Sequence, residues 1–129
     1  TFDADKQFFS NDLSKMQKIA NSTRIDFIVG IRPKPARLME KIACWYFKFK
    51  YGINDPLSGL KGYKSSLLET FEFENKIDTT GLGLCKHMVL RSDRKVQIDI
   101  SIAQRLDKPR FGGSIKANLI LFRSLINVL

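Results

Sequence analysis

The sequence predicts a single α/β domain, and three observations lead to this fold class. Stretches with apolar residues at helical spacing alternate along the chain with short apolar stretches of strand period, which is typical of one α/β unit. A length of 129 residues is within the usual size of one domain, and no repeat or linker divides it. The clearest single element is a strand in which apolar and polar residues alternate strictly; it comprises Val96, Gln97, Ile98, Asp99, Ile100, Ser101 and Ile102.

The N-terminal part predicts a strand end, a helix and a second strand. Residues Thr1 to Asp5 are expected to end a strand and enter a polar turn. Ser10 is a residue type that caps helices. The helix after it carries apolar residues on one face, namely Leu13, Met16, Ile19 and Ala20. A short apolar strand is expected from Ile25 to Gly30.

The middle of the chain predicts two helices separated by a loop. Pro33 and Pro35 interrupt the chain before a helix expected from about Ala36 to Tyr51. Its apolar stripe is expected to face the core and consists of Leu38, Met39, Ile42, Trp45, Tyr46 and Phe49. The turn-rich segment from Gly52 to Gly59 is expected to be a loop at the sheet edge, and a short helix follows near Ser65 to Thr70.

Two more helices are expected in the C-terminal part. The first follows Gly81 and carries an apolar face made of Leu82, Leu84, Cys85, Met88 and Val89. The last begins near the capping Ser114, with Lys116 and Arg123 flanking its apolar face. That face consists of Ile115, Leu119, Phe122 and Ile126. It is expected either to lie on a membrane or to pack on the domain.

Composition narrows the classes of partner. The 22 basic and 13 acidic residues give a net charge of +9, which favours phosphate groups, nucleic acid or an acidic membrane surface. Cys44 and Cys85 have no metal or redox spacing, so we expect free, buried thiols in a reducing compartment. His87 has no metal partner nearby in sequence and is expected to be a structural or surface histidine rather than a ligand. No apolar run reaches the roughly 20 residues needed to span a bilayer, since Arg123 interrupts the longest candidate.

One short motif suggests a metal site. The segment Asp3-Ala4-Asp5-Lys6-Gln7 places two carboxylates and an amide oxygen at alternate positions after a predicted strand. Such oxygens are ligands for a hard divalent cation such as Mg²⁺ or Mn²⁺, which would neutralise a departing nucleotide diphosphate. The alternative is a solvated turn, because Asp-x-Asp is short and common.

Other polar residues follow predicted strands or lie in the central loop. Asp55 and Ser58 could offer a carboxylate and a hydroxyl to one substrate, although taken alone Asp55 is better explained by an ordinary Asx-Pro turn. Arg32 follows one strand, and Arg105 and Arg110 follow another. These arginines are either phosphate clamps or inert surface residues.

Taken in order, four segments resemble family-two glycosyltransferases, in the dolichol-phosphate-mannose-synthase-like branch that uses polyprenyl phosphates. They are Asp3 to Gln7, Val29 to Arg32, Asp55 to Lys61, and Arg105 to Gly112. The resemblance implies a partial GT-A domain, which is Rossmann-like with a mixed sheet flanked by helices. The chain would be its C-terminal part without the nucleotide-binding half, and the absence of an initiating methionine before Thr1 agrees with a natural polypeptide that starts earlier.

The same resemblance implies roles for individual residues. Asp3, Asp5 and Gln7 match the metal site. Arg32 and Ser58 match acceptor-phosphate contacts, and Asp55 matches the active-site acid. Arg105 and Arg110 fall in the segment that contacts the donor diphosphate, and Asp78 lies where many relatives place a catalytic acid.

The implied reaction is an inverting displacement from a nucleotide sugar to a lipid phosphate, at the cytoplasmic face of a membrane and without nucleic acid. Because a phosphate acceptor is already an anion, Asp55 is expected to position groups rather than to act as a base.

Two hypotheses from other classes stay open. One is a basic nucleic-acid-binding module, supported by the net charge and by Phe47, Tyr51 and Tyr63 near lysines. No RNP, helix-turn-helix or zinc pattern supports it. The other is a non-catalytic protein that packs on a partner or a membrane through its last helix.

Overall fold

The computed structural model describes residues 10–22, 24–33, 37–71, 80–101 and 114–129. Within these residues the fold is α/β, as the sequence predicts, with a three-stranded mixed sheet and five helices. The elements are α1 (Ser10–Ser22), β1 (Phe27–Ile31), α2 (Leu38–Tyr51), β2 (Lys61–Tyr63), α3 (Ser65–Leu68), α4 (Leu82–Arg91), β3 (Lys95–Asp99) and α5 (Ser114–Val128). The strand end expected at residues 1–5 lies outside the described residues.

The strand order β2-β1-β3 brings three chain segments to one edge of the sheet. β1 is parallel to β3, with Ile31 opposite Asp99, so both strands end at this edge. β1 is antiparallel to β2, with Val29 opposite Lys61, so β2 begins there. The sequence did not predict β2, because a strand of three residues is too short to show an alternating pattern.

Helices cover both faces of the sheet because β1 is apolar on both. Phe27 and Val29 contribute to a core cluster that includes buried residues of α2, α4 and α5. Ile28 instead packs with Met16 of α1, Leu60 and Ile100. Gly30 permits close packing on this second face, since an added Cβ would lie 3.0 Å from side-chain atoms of Ile100.

The orientation of α2 corrects the sequence prediction. The predicted core stripe is largely exposed, and its exposed members are Leu38, Ile42, Trp45 and Phe49. Met39 and Tyr46 are half-buried, while the buried residues of α2 are Glu40, Ala43 and Phe47. Trp45 and Phe49 stack on each other with ring centroids 6.1 Å apart, and Phe49 is 85% exposed.

The last helix, α5, has the same kind of outward apolar stripe. Its buried residues are Ala117, Leu121, Leu125 and Val128. The face that the sequence singled out is exposed, namely Ile115, Leu119, Phe122 and Ile126. α5 packs against both α2 and α4, and Asn118 accepts a hydrogen bond from the Met39 amide at 3.4 Å. Each helix therefore packs through one face and leaves an apolar stripe on another.

Candidate functional site

A pocket of about 520 Å³ opens at the sheet edge where β1 and β3 end. In open α/β sheets, ligands bind outside the carboxyl ends of the strands. The lining residues come from β1, α2, the loop after α2 and β3, and they are Ile31, Arg32, Cys44, Trp45, Lys48, Asn54, Asp55 and Asp99. Two residues that the sequence singled out, Arg32 and Asp55, therefore share one pocket.

Arg32 and Asp55 form a bidentate ion pair although 23 residues separate them in sequence. The Arg32 Nε donates to Asp55 Oδ2 at 2.7 Å, and Nη2 donates to Oδ1 at 2.9 Å. The backbone amide of Arg32 also donates to Oδ2, at 3.1 Å. The Asp55 side chain is only 5% exposed and that of Arg32 20%. Paired geometry of this kind gives both strength and a defined orientation.

Glu40 adds a second carboxylate behind Arg32. Its Oε2 lies 3.7 Å from Arg32 Nη1, and its Oε1 accepts a hydrogen bond from Arg37 Nη1 at 3.2 Å. The Glu40 side chain is 8% exposed. Glu40 was not predicted as a site residue, because an acidic residue in the first turn of a helix is common and does not by itself indicate a site.

Burial and the negative charge of Asp55 shift the pKa values of two neighbouring groups, Arg32 and Cys44. Burial lowers the pKa of the Arg32 guanidinium, but the hydrogen bonds and charge of Asp55 outweigh it, so the net pKa is raised. The Cys44 thiol lies 3.9 Å from Asp55 Oδ1. Burial, followed by the negative charge of Asp55, raises the pKa of Cys44 to about 12. Cys44 is therefore a neutral thiol at physiological pH.

The loop that carries Asp55 leaves α2 through a left-handed cap. Gly52 has φ 71°, and its amide donates to the Lys48 carbonyl at 3.0 Å. The Ile53 amide donates to the Phe47 carbonyl at 3.2 Å. Glycine suits this conformation because it has no Cβ to clash with the backbone. Asp55 lies two residues after Ile53, and its carboxylate reaches the end of β1, where it accepts the hydrogen bond from the Arg32 amide.

Ser58 lies inside the same loop and is 1% exposed. Its hydroxyl accepts the Leu60 amide at 3.3 Å, and its own amide donates to the Asp55 carbonyl at 3.4 Å. In this arrangement the side chain stabilises the turn. Its contact to an acceptor phosphate remains a prediction.

Several predicted site residues lie outside the described residues. They are Asp3, Asp5, Gln7, Asp78, Arg105 and Arg110. In the part of the chain that is described, no three His, Cys, Asp or Glu residues are grouped to hold a metal ion. The predicted metal ligands Asp3, Asp5 and Gln7 lie outside that part of the chain.

His87 makes structural contacts, and of the two cysteines only Cys85 is as buried as the sequence predicts. His87 Nε2 lies 3.0 Å from Thr70 Oγ1 and 3.2 Å from the Leu67 carbonyl, and its ring meets Phe71 edge to face. These contacts join α4 to α3 and to the residues that follow it. Cys44 and Cys85 are free, Cys85 fully buried and Cys44 partly buried.

The pocket contains charges of both signs. Arg32 and Lys48 contribute positive charge, and Asp55 and Asp99 contribute negative charge. A ligand that combines a phosphate with a neutral polar group or a bound cation fits this balance better than a bare polyanion. From the sequence, Asp99 is predicted only as a residue of a strand. It lines the pocket because the strand register sets it opposite Ile31.

Comparison of the chain with protein-family models, curated proteins and solved structures finds no match. Among the described helices, none has the length and apolar character required to cross a bilayer.

Proposed function

We propose that this chain is the C-terminal half of a family-two glycosyltransferase domain of GT-A fold. Its reaction is the transfer of a sugar from a nucleotide-sugar donor to a polyprenyl or dolichyl phosphate, with inversion at the anomeric carbon. The α/β fold with its mixed sheet is compatible with this assignment.

The observation that carries the proposal is the Arg32–Asp55 pair at the mouth of a pocket. Two of the four segments that resemble the family meet at the carboxyl end of β1. One contains Arg32, directly after β1, and the other contains Asp55, in the loop after α2. Convergence of this kind is expected of a site and is not required of two unrelated turns. The pair also supports the expected role of Asp55, because Arg32 occupies both carboxylate oxygens. A carboxylate so engaged orients its partner and has little capacity left to act as a base.

Arg32 is suited to bind an acceptor phosphate. A guanidinium has five N–H donors in a rigid fork, and Asp55 engages the Nε and Nη2 side of it. Nη1 lies 3.7 Å from Glu40, beyond hydrogen-bond distance. No residue that the structure describes accepts a hydrogen bond from that nitrogen, so its N–H groups could meet a phosphate oxygen, in an orientation set by two carboxylates. Alignment of an already anionic nucleophile then contributes to the rate without proton abstraction.

The remaining roles in this proposal come from the resemblance. Asp3, Asp5 and Gln7 supply oxygen ligands suited to Mg²⁺ or Mn²⁺, which would neutralise charge on the departing diphosphate. Arg105 and Arg110 supply further positive charge to that diphosphate.

We also propose a peripheral location at the cytoplasmic face of a membrane. α2 and α5 are in contact, and each exposes an apolar stripe. Basic residues accompany these stripes, namely Lys41, Lys48, Lys116 and Arg123. Apolar and basic groups together favour an anionic lipid surface. Trp45 lies both in the α2 stripe and in the wall of the pocket, so a lipid acceptor could reach the pocket from that surface.

The experiment that tests the function is sugar transfer by the full-length polypeptide with and without Mg²⁺ or Mn²⁺. Asp5→Asn is expected to abolish the metal-dependent transfer, because it removes a charged ligand of the cation. Asp93→Asn changes an exposed carboxylate at the turn before β3 and is the matched control. Undiminished transfer by Asp5→Asn would contradict the metal-dependent assignment, and a wild type that transfers no sugar would favour the non-catalytic alternative.

The nucleic-acid hypothesis loses one of its supports in the structure. Phe47 is fully buried in the core, so its ring offers no face on which a base could stack. Tyr51 and Tyr63 pack against the same core cluster. Steeply salt-dependent binding of oligonucleotides would revive the hypothesis.

A further inference from the structure

The loop between α2 and β2 begins with two backbone groups that a single side chain satisfies. The Asn54 amide donates to Gln97 Oε1 at 2.7 Å, and Gln97 Nε2 donates to the Gly52 carbonyl at 2.8 Å. One amide side chain of β3 therefore bridges the cap of α2 and the residue immediately before Asp55. An amide side chain can do this because it has a donor and an acceptor about one hydrogen-bond width apart.

The orientation of the Gln97 amide is determined by these two partners. A backbone N–H needs an acceptor and a backbone C=O needs a donor, so only one orientation of the amide satisfies both. Gln97 lies opposite Val29 on β1, three residues before Arg32. The same strand pairing therefore sets the positions of Gln97 and of Arg32, which hold the Asp55 loop from two sides.

We infer that Gln97 is a positioning residue, whose side-chain amide fixes the start of the Asp55 loop and thereby places Asp55 against Arg32. The inference rests on the proposed transferase function and adds to it a residue that does not itself touch substrate. Without the amide, the Gly52 carbonyl and the Asn54 amide lose their bridge, and Asp55 is no longer held from the β3 side. Displacement of an aligned group by about 1 Å can lower a rate by up to about 100-fold.

The test compares Gln97→Met with Ile98→Val in the full-length polypeptide. Methionine keeps the unbranched shape of glutamine but has no amide. Ile98 is the next residue of the same strand, and it packs on the opposite face of the sheet with Ile28 and Ile100. Ile98→Val thus weakens β3 without touching the loop.

Two readouts are expected to change in Gln97→Met. Amide hydrogen exchange at Asn54 is expected to accelerate about 10-fold, because its hydrogen-bond acceptor is removed, while exchange at Ala43 inside α2 stays as in the wild type. The kcat for transfer is expected to fall about 10-fold or more, with the KM for the nucleotide sugar unchanged. Ile98→Val is expected to change neither the Asn54 exchange rate nor the kcat by more than about twofold.

Two outcomes overturn the inference. Unchanged exchange at Asn54 would mean that Gln97 does not hold the loop. Faster exchange together with a kcat no lower than that of Ile98→Val would mean that the loop position does not matter for transfer. A wild-type protein without any transfer activity would overturn the proposed function instead, and the exchange rate at Asn54 would still decide whether Gln97 fixes the loop.

Discussion

Replacement of Asp55 by alanine is expected to lower the stability of the protein substantially. The change removes both acceptors of the Arg32 guanidinium and the acceptor of its backbone amide. Removal of one partner of a buried ion pair typically costs about 3–5 kcal/mol. Arg32 keeps 20% exposure and keeps Glu40 at 3.7 Å, so we expect the lower end, about 3 kcal/mol. For a chain of this size the melting temperature would fall by about 10 °C.

The assay is equilibrium unfolding in urea followed by far-UV circular dichroism, which reports on the helices that the pair connects to the sheet. A double-mutant cycle with Arg32→Met separates the pair from its surroundings. The double variant is expected to be more stable than the sum of the two single changes predicts, by about 2 kcal/mol, since neither charge is left buried alone. Asp93→Asn is the control, because Asp93 is an exposed carboxylate in the turn before β3; it is expected to cost about 0.5 kcal/mol or less.

Either of two results would refute this reasoning. A decrease of less than about 1 kcal/mol in the free energy of unfolding of Asp55→Ala would show that water solvates the unpaired Arg32 guanidinium. The pair would then behave like a surface ion pair. A coupling energy near zero in the double-mutant cycle would show that the cost arises from the loop and not from the charges.

Two further predictions concern other surfaces. Because the pKa of Cys44 is raised to about 12, the rate at which iodoacetamide alkylates Cys44 in the folded protein should still increase with pH well above pH 9. Peptide mapping that finds this rate unchanged above about pH 9 would contradict the prediction. Between pH 9 and about pH 12 the folded protein keeps the thiol proton of Cys44, whereas the unfolded chain releases it. The stability that Cys44 contributes is therefore fully present below pH 9 and is lost as the pH rises towards 12. Phe49→Ser should weaken sedimentation with phosphatidylserine-containing vesicles about 10-fold or more, because an 85% exposed phenyl ring is lost, whereas Leu90→Ser on α4 should not. Equal binding of Phe49→Ser and the wild type, or no binding by the wild type, would count against the membrane location.

Much of the secondary structure was predictable because it depends on local patterns. The helices α1, α2, α4 and α5 each carry apolar residues at helical spacing. Both ends were predicted for α2, and they lie within about two residues of the observed ones. β3 was evident from its alternation and β1 from its apolar run. β2 was not, since three residues that include a glycine have no periodicity and form a strand only because β1 pairs with them.

The candidate site was predictable in its residues but not in its contacts. Arg32 and Asp55 were recognisable by type and by motif, yet nothing local indicates that they pair with each other. Their contact depends on how the loop after α2 returns to the end of β1. Glu40 and Gln97 were missed for the same reason, because each acts on a partner that is distant in sequence.

Local patterns in the sequence are sufficient to predict the class of each long element and to show the residue types available for binding phosphate. They do not predict which face of α2 and α5 is buried, that Arg32 is paired, or that β3 supports the Asp55 loop. Periodicity identifies an apolar face but carries no information about what packs against it. In α2, Ala43 and Phe47 belong to the core cluster that also contains residues of β1, α4 and α5, so the stripe with Trp45 and Phe49 faces outward. Contacts between distant residues depend on strand register and on loop closure, which no local pattern encodes.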